Sequence, residues 1–207
     1  MWSQIQNTEL AGEAFLLISE NEMNGCEYHN LLHLDQMYEF LEATKEPYDE
    51  ALDWAILFHD IVYDKYPEKE ARSTRRFYEM QQLHRGCNLD INGIDRVQLL
   101  ILETKNHEIT PDVYLKGSSA IIRADLHALA SKTQTIHNFV KIMDESMNLY
   151  KCTVEQFAGA NIDFMTGLFN RVLKNAGQID KDHACFYYDV LEGIDLTISL
   201  ARAIEGA

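Results

Sequence analysis

The sequence predicts an all-α protein. Apolar residues recur at spacings of three and four along most of the chain, strand-like alternation is hardly visible, and only three prolines and ten glycines interrupt 207 residues. The expected architecture is a helical bundle of about eight or nine helices. With 46% apolar residues, the chain is long enough to bury a sizeable core without disulfide staples.

Each element has its own signal. A first helix carries the stripe Leu10, Ala14, Leu17 and Ile18. A second, through YHNLLHLDQMYEFLEA, carries Leu34, Met37, Tyr38 and Leu41. Pro47 suits the first turn of a third helix, in which Leu52, Ala55, Ile56 and Val62 continue to about Tyr63. Pro67 opens a fourth in the same way, ending near Gly86. The fifth, IDRVQLLILETKNH, ends before Pro111, and a shorter one spans about Ala120 to Leu129. Ser131 can cap a helix to about Tyr150, and Thr153 with Gln156 forms a capping box for another to about Asn175. The last runs from about Asp182 to Ile204. No linker, repeat or composition shift divides these segments, so residues 1–207 read as one domain, with C-terminal helices over about 131–205.

Charge and cysteine usage narrow the function classes. Eighteen Lys and Arg against thirty-three Asp and Glu give a net charge of -15, which disfavours a nucleic-acid polymer or an anionic membrane as partner. A small ligand is easier to accommodate. Cys26, Cys87, Cys152 and Cys185 form no CxxC pair, so they read as ordinary cytosolic thiols rather than a zinc ribbon or disulfide framework. The N-terminus has no basic leader and the apolar runs fall far short of the roughly 20 residues of a membrane span, so a cytoplasmic location is expected. No exposed heptad seam announces an oligomer.

Several polar residues sit where chemistry could occur. His29 and His33 are four apart, a spacing that on one helix lets two imidazoles approach one metal or one anion. His59 and Asp60 lie in WAILFHDIVYD, near the end of a strongly apolar helix, where an imidazole and a carboxylate must be paired, hydrogen-bonded or bound to metal. Asp125 is embedded in SSAIIRADLHALAS, as a salt-bridge partner, a cap or a ligand. His107 falls at the end of the fifth helix, where the helix dipole alone would favour an imidazolium.

From Lys65 to Arg76, five cations face only Glu68 and Glu70. Lys69, Arg72 and Arg76 would share one helix face, either solvated and paired with Glu residues or available to phosphate, for which Lys69 and Arg72 are the best candidates. Trp54, Tyr63, Tyr66 and Phe77 suit core packing more readily than base stacking, and His84, His127, His137 and His183 have no motif context.

Taken in order, His33 is followed twenty-six residues later by His59-Asp60, and Asp125 lies sixty-five residues beyond Asp60, each on a separate predicted helix. This pattern resembles the HD-domain superfamily, and more closely its branch of predicted metal-dependent HD phosphohydrolases. The likeness rests on YHNLLHL at 28–34, FHDIVYD at 58–64, EARS at 70–73, TKNH at 104–107 and ADLHALA at 124–130, so it covers about residues 28–130. The resemblance implies that His33, His59, Asp60 and Asp125 ligate a divalent metal, with His29 competing for the first position. It implies that Asp60 also orients the attacking water, and that His107 acts in catalysis, at a second metal or on phosphate. Cys26 stands where the branch has Arg, and Arg123 where it has Asp; both departures bear on the substrate rather than the metal.

Two imidazoles and two carboxylates suit Mn, Fe, Co, Ni or Zn better than Mg. The expected function is therefore metal-dependent hydrolysis of a small phosphate ester, a nucleotide among the candidates, by metal-activated water. The alternatives are a non-catalytic, metal-stabilised ligand-binding domain of the same type and an HD-type di-iron oxygenase.

Overall fold

In a computed structural model that describes residues 2–64, 66–177 and 181–206, with the side chains of 181–183 outside the description, the protein is all-helical. The described residues form nine α-helices and no strand: α1 (Glu9–Met23), α2 (Leu31–Ala43), α3 (Glu50–Phe58), α4 (Lys69–Leu83), α5 (Ile91–Glu103), α6 (Ser118–Leu126), α7 (Lys132–Tyr150), α8 (Val154–Ala176) and α9 (Lys181–Glu205), with a 3₁₀ turn at His127–Ala130. No described helix is long and apolar enough to cross a membrane. All four cysteines are free thiols. Lys65 of the cationic run and the side chain of His183 lie outside the described residues.

The chain divides into two compact units, one formed by Met1–Lys105 and Ile109–Asp125, the other by Asn106–Glu108 and Leu126–Ala207. At the heart of the first unit is α3. Every residue from Ala51 to Phe58 is buried, as expected of a helix that is apolar all round and packed on several sides, here against α1, α2, α4 and α5. Phe58 meets Phe77 of α4 edge to face at 5.1 Å, and Trp54 lies 6.2 and 6.3 Å from the two rings, so all three aromatics serve packing.

Asp53 is the one buried carboxylate of α3. The N-terminal segment satisfies it: Ser3 Oγ donates to its two oxygens at 2.8 and 3.0 Å, and the Gln4 amide donates at 2.9 Å. Trp2 secures the same segment, its indole donating to the Glu46 carbonyl at 2.8 Å and its ring lying 6.1 Å from Tyr38 and 5.4 Å from Tyr48.

The helix boundaries depart from expectation in instructive ways. Pro47 and Pro67 precede the N-caps Asp49 and Glu68 instead of occupying first helical turns. Asp49 accepts from the amides of Ala51 and Leu52, a firmer start than proline supplies. Helix α3 stops at Phe58, well short of Tyr63, because the His59 ring takes the Ile56 carbonyl that a continued helix would have used. His29 does not share a helix with His33: Asn30 caps α2, leaving His29 in the preceding bend.

In the second unit α8 packs along α9, and α7 and the 3₁₀ turn close around them, with Phe139, Phe157, Ala158 and Ala201 in the core. The capping box is present: the Thr153 side chain accepts from the Gln156 amide and the Gln156 side chain accepts from the Thr153 amide. At Gly193 of α9, a Cβ would stand 1.9 Å from the Leu129 carbonyl oxygen, so only glycine permits this approach of helix and turn.

Candidate metal centre

Three segments of the first unit bring the polar residues together. Asn30 caps α2, its side-chain oxygen accepting from the amides of Leu32 and His33 at 3.0 and 3.2 Å, and this fixes the turn from which the buried His33 ring projects. The end of α3 supplies His59 and Asp60. Near the end of α6, Asp125 places Oδ1 3.3 Å from His33 Nε2 and 3.9 Å from His59 Nε2. His33, His59 and Asp60 offer ligand atoms within 4.8 Å of one another, a group that could hold a metal ion, and the Asp125 carboxylate adjoins both imidazoles.

The hydrogen bonding fixes the roles of the ring nitrogens. His59 Nδ1 is 2.7 Å from the Ile56 carbonyl, which only accepts, so Nδ1 carries the proton. Its Nε2 then points into the group, 2.9 Å from Asp60 Oδ2, yet the direction is wrong for a hydrogen bond. Neither ring nitrogen of His33 has a hydrogen-bond partner, although both are buried. Buried nitrogens aimed between two carboxylates are costly unless something positive meets them, and a backbone-oriented imidazole is the usual support of a metal ligand. The donor set and its unmet atoms therefore fit a divalent cation.

Electrostatics agree with the geometry. Burial would raise Asp60, but His59, Lys69 and His29 around it hold the carboxyl well below the usual carboxylate range. Burial lowers the His33 imidazole, only partly offset by Asp125. His59 is also pushed down by burial, yet the Asp60 and Asp125 charges outweigh it and raise it to about 9. The negative charges that favour a proton on His59 would also favour another cation at this place.

Beside this group lies a small cleft lined by Ile18, His29, Asn30, His33, Leu34, Leu57 and Asp60. His29 stands with its Nε2 3.9 Å from Asp60 Oδ2 and its ring stacked on Tyr63 at 3.8 Å. Lys69, at the start of α4, reaches Asp60 Oδ1 at 3.2 Å and lies 3.9 Å from the Tyr63 ring centre. Arg72 is placed differently: its guanidinium is engaged by both oxygens of Asp64, at 2.8 and 2.6 Å, and by the carbonyls of Tyr66 and Pro67. It folds the loop that leads into α4.

His107 belongs to the second unit. It lies beyond α5, not at its end, in the left-handed region at φ 52°, and its carbonyl accepts from Asn175 of α8 at 2.7 Å. Two participants were less visible in the sequence. Asn30 sits directly before an apolar run, a capping signal that could have been read, whereas Tyr63 is marked only by being aromatic. No protein-family model, curated protein or solved structure matches the chain.

Proposed function

We propose that the protein is a metal-dependent phosphohydrolase of the HD type, acting on a small phosphate ester. The observation that carries this reading is the pair of buried imidazoles, His33 and His59, whose unpartnered Nε2 atoms face Asp60 and Asp125 at 2.9 to 3.9 Å beside a cleft. In this reading His33, His59, Asp60 and Asp125 hold the metal, with Mn, Fe, Co, Ni or Zn better suited than Mg to the mixed nitrogen and oxygen set. When bound, such a metal supplies a Lewis acid and lowers the pKa of water from 15.7 toward roughly 7.

The chain's own residues do the rest. Ile56 holds the His59 tautomer, and Asp60 orients the attacking water. Lys69 places a cation beside Asp60, and His29 lines the cleft with a nitrogen able to meet a phosphoryl oxygen. Leu34, Leu57 and Ile18 give the cleft an apolar wall that limits water around the reacting groups.

Elemental analysis of the purified protein beside Asp60→Ala tests the reading. We expect about one or two equivalents of transition metal per chain in the wild type, lost on substitution, and metal-dependent release of phosphate from a panel of monoesters and diesters. A wild-type chain that takes up none of Mn, Fe, Co, Ni or Zn after reloading would sink the hydrolase reading. Metal uptake without turnover on any ester would favour a metal-stabilised binding domain.

A further inference from the structure

The two oxygens of Asp60 face different neighbours. Oδ2 looks toward the imidazoles, 2.9 Å from His59 Nε2 and 3.9 Å from His29 Nε2, whereas Oδ1 accepts from Lys69 Nζ at 3.2 Å. The ammonium is not a free surface group. It is half-buried over the Tyr63 ring, where the cation meets the ring's negative face.

Described residues near Lys69 make their own contacts. Glu68 adopts the left-handed conformation at φ 61°, the Val62 amide donates to Ser73 Oγ of α4 at 3.3 Å, and Arg72 ties Asp64 to the Tyr66 and Pro67 carbonyls. Lys69, at the start of α4, thus brings an ammonium back to the carboxylate of Asp60.

We propose that Lys69 is a positioning residue that restricts Asp60 to one-oxygen ligation. The inference rests on the metal-centre reading above. With Oδ1 held by the ammonium, only Oδ2 is offered on the side of His33 and His59. A carboxylate confined in this way cannot chelate through both oxygens, the mode that Ca²⁺ and other large cations exploit with six to eight oxygen ligands. Lys69 would therefore select for smaller, imidazole-seeking metals and leave coordination positions for water and substrate.

The restriction is separable from the simple effect of charge. Removing a lysine cation strengthens the site for every divalent ion alike, whereas releasing Oδ1 favours the large ion over the small one. The readout is thus the ratio of Ca²⁺ to Co²⁺ affinity, measured by calorimetric titration of the metal-free full chain, with the visible spectrum of bound Co²⁺ as a second signal. In Lys69→Met we expect the ratio to move toward Ca²⁺ by about tenfold or more, and the Co²⁺ spectrum to change as the second oxygen joins. Lys69→Arg retains a cationic donor to Oδ1 and should keep the ratio within about threefold of the wild type. Melting of the metal-free variants checks that each is folded. Wild-type Co²⁺ binding with the same ratio and spectrum in Lys69→Met overturns the positioning role and leaves the metal centre standing. A wild-type chain that binds neither ion overturns both.

Discussion

Replacing Ser3 by Ala tests how the first unit stabilises a carboxylate within its central helix. Asp53 is completely buried, and among the described residues no cation is paired with it. Burial raises its carboxyl above the usual range, against the Gln4 amide, the Ser3 and Tyr38 hydroxyls and the Ile5 amide, which all favour the charged form. Ser3→Ala removes the hydroxyl that serves both oxygens, and a lost hydrogen bond to a buried charge costs about 1.5–3 kcal/mol. Taking about 2 kcal/mol and a urea dependence near 2 kcal/mol per molar, the unfolding midpoint of the first unit should fall by about 1 M at pH 7.

The pH dependence gives the sharper check. Because the folded-state pKa of Asp53 is raised, the cost of its ionisation is absent below the unfolded value, about 3.9, where both states are protonated. It grows as pH rises from the unfolded value toward the folded-state value and is constant above the latter. At about pH 3, below that unfolded value, the carboxyl is protonated in both states, so Ser3→Ala removes a bond between neutral groups worth only about 1 kcal/mol. The midpoint loss should then be about half that at pH 7, and in the background of Asp53→Asn it should no longer change with pH. Equal losses at the two pH values would refute the argument, since the hydroxyl would then not be acting on a charge.

Two further substitutions probe other steps of the architecture. Gly193→Ala forces a methyl against the Leu129 backbone and should destabilise the second unit by about 1–3 kcal/mol, read as a lower melting temperature with helix content retained. Asn30→Ala removes the cap of α2, at a cost of about 1 kcal/mol, and frees the turn that aims His33; Co²⁺ affinity should fall more than the stability loss alone accounts for, which parallel melting and titration would reveal.

Helical periodicity made the fold class legible because it is a local property: the stripe Leu10, Ala14 and Ile18 and the capping box at Thr153 and Gln156 need no knowledge of neighbours. The end of α3 was not legible in that way. Apolar residues continue to Ile61 and Val62, so periodicity alone carries the helix onward, whereas the stop at Phe58 depends on one imidazole claiming one carbonyl. Likewise Asp53 reads as an ordinary polar residue in α3 until the chain's own N-terminal segment, fifty residues away in sequence, is brought to it. The cationic run illustrates the same limit, since Lys69 and Arg72 have equal standing by spacing but only Lys69 reaches Asp60, Arg72 being engaged by Asp64.

The early stop of α3 is also what makes the site possible. Were the helix to continue through Asp60, His59 and Asp60 would point about 100° apart around its axis and could not face a common point so readily. Ending at Phe58 lets the His59 ring fold back on Ile56 while the Asp60 carboxylate turns beside His59 Nε2. The same interaction therefore terminates the helix, selects the tautomer and directs the remaining nitrogen into the group formed with His33 and Asp125. An ordinary helix end would need only the first of these. The convergence of all three, in a place where burial penalises each unmet polar atom, is the physical reason for reading His59 and Asp60 as chemistry instead of as a cap.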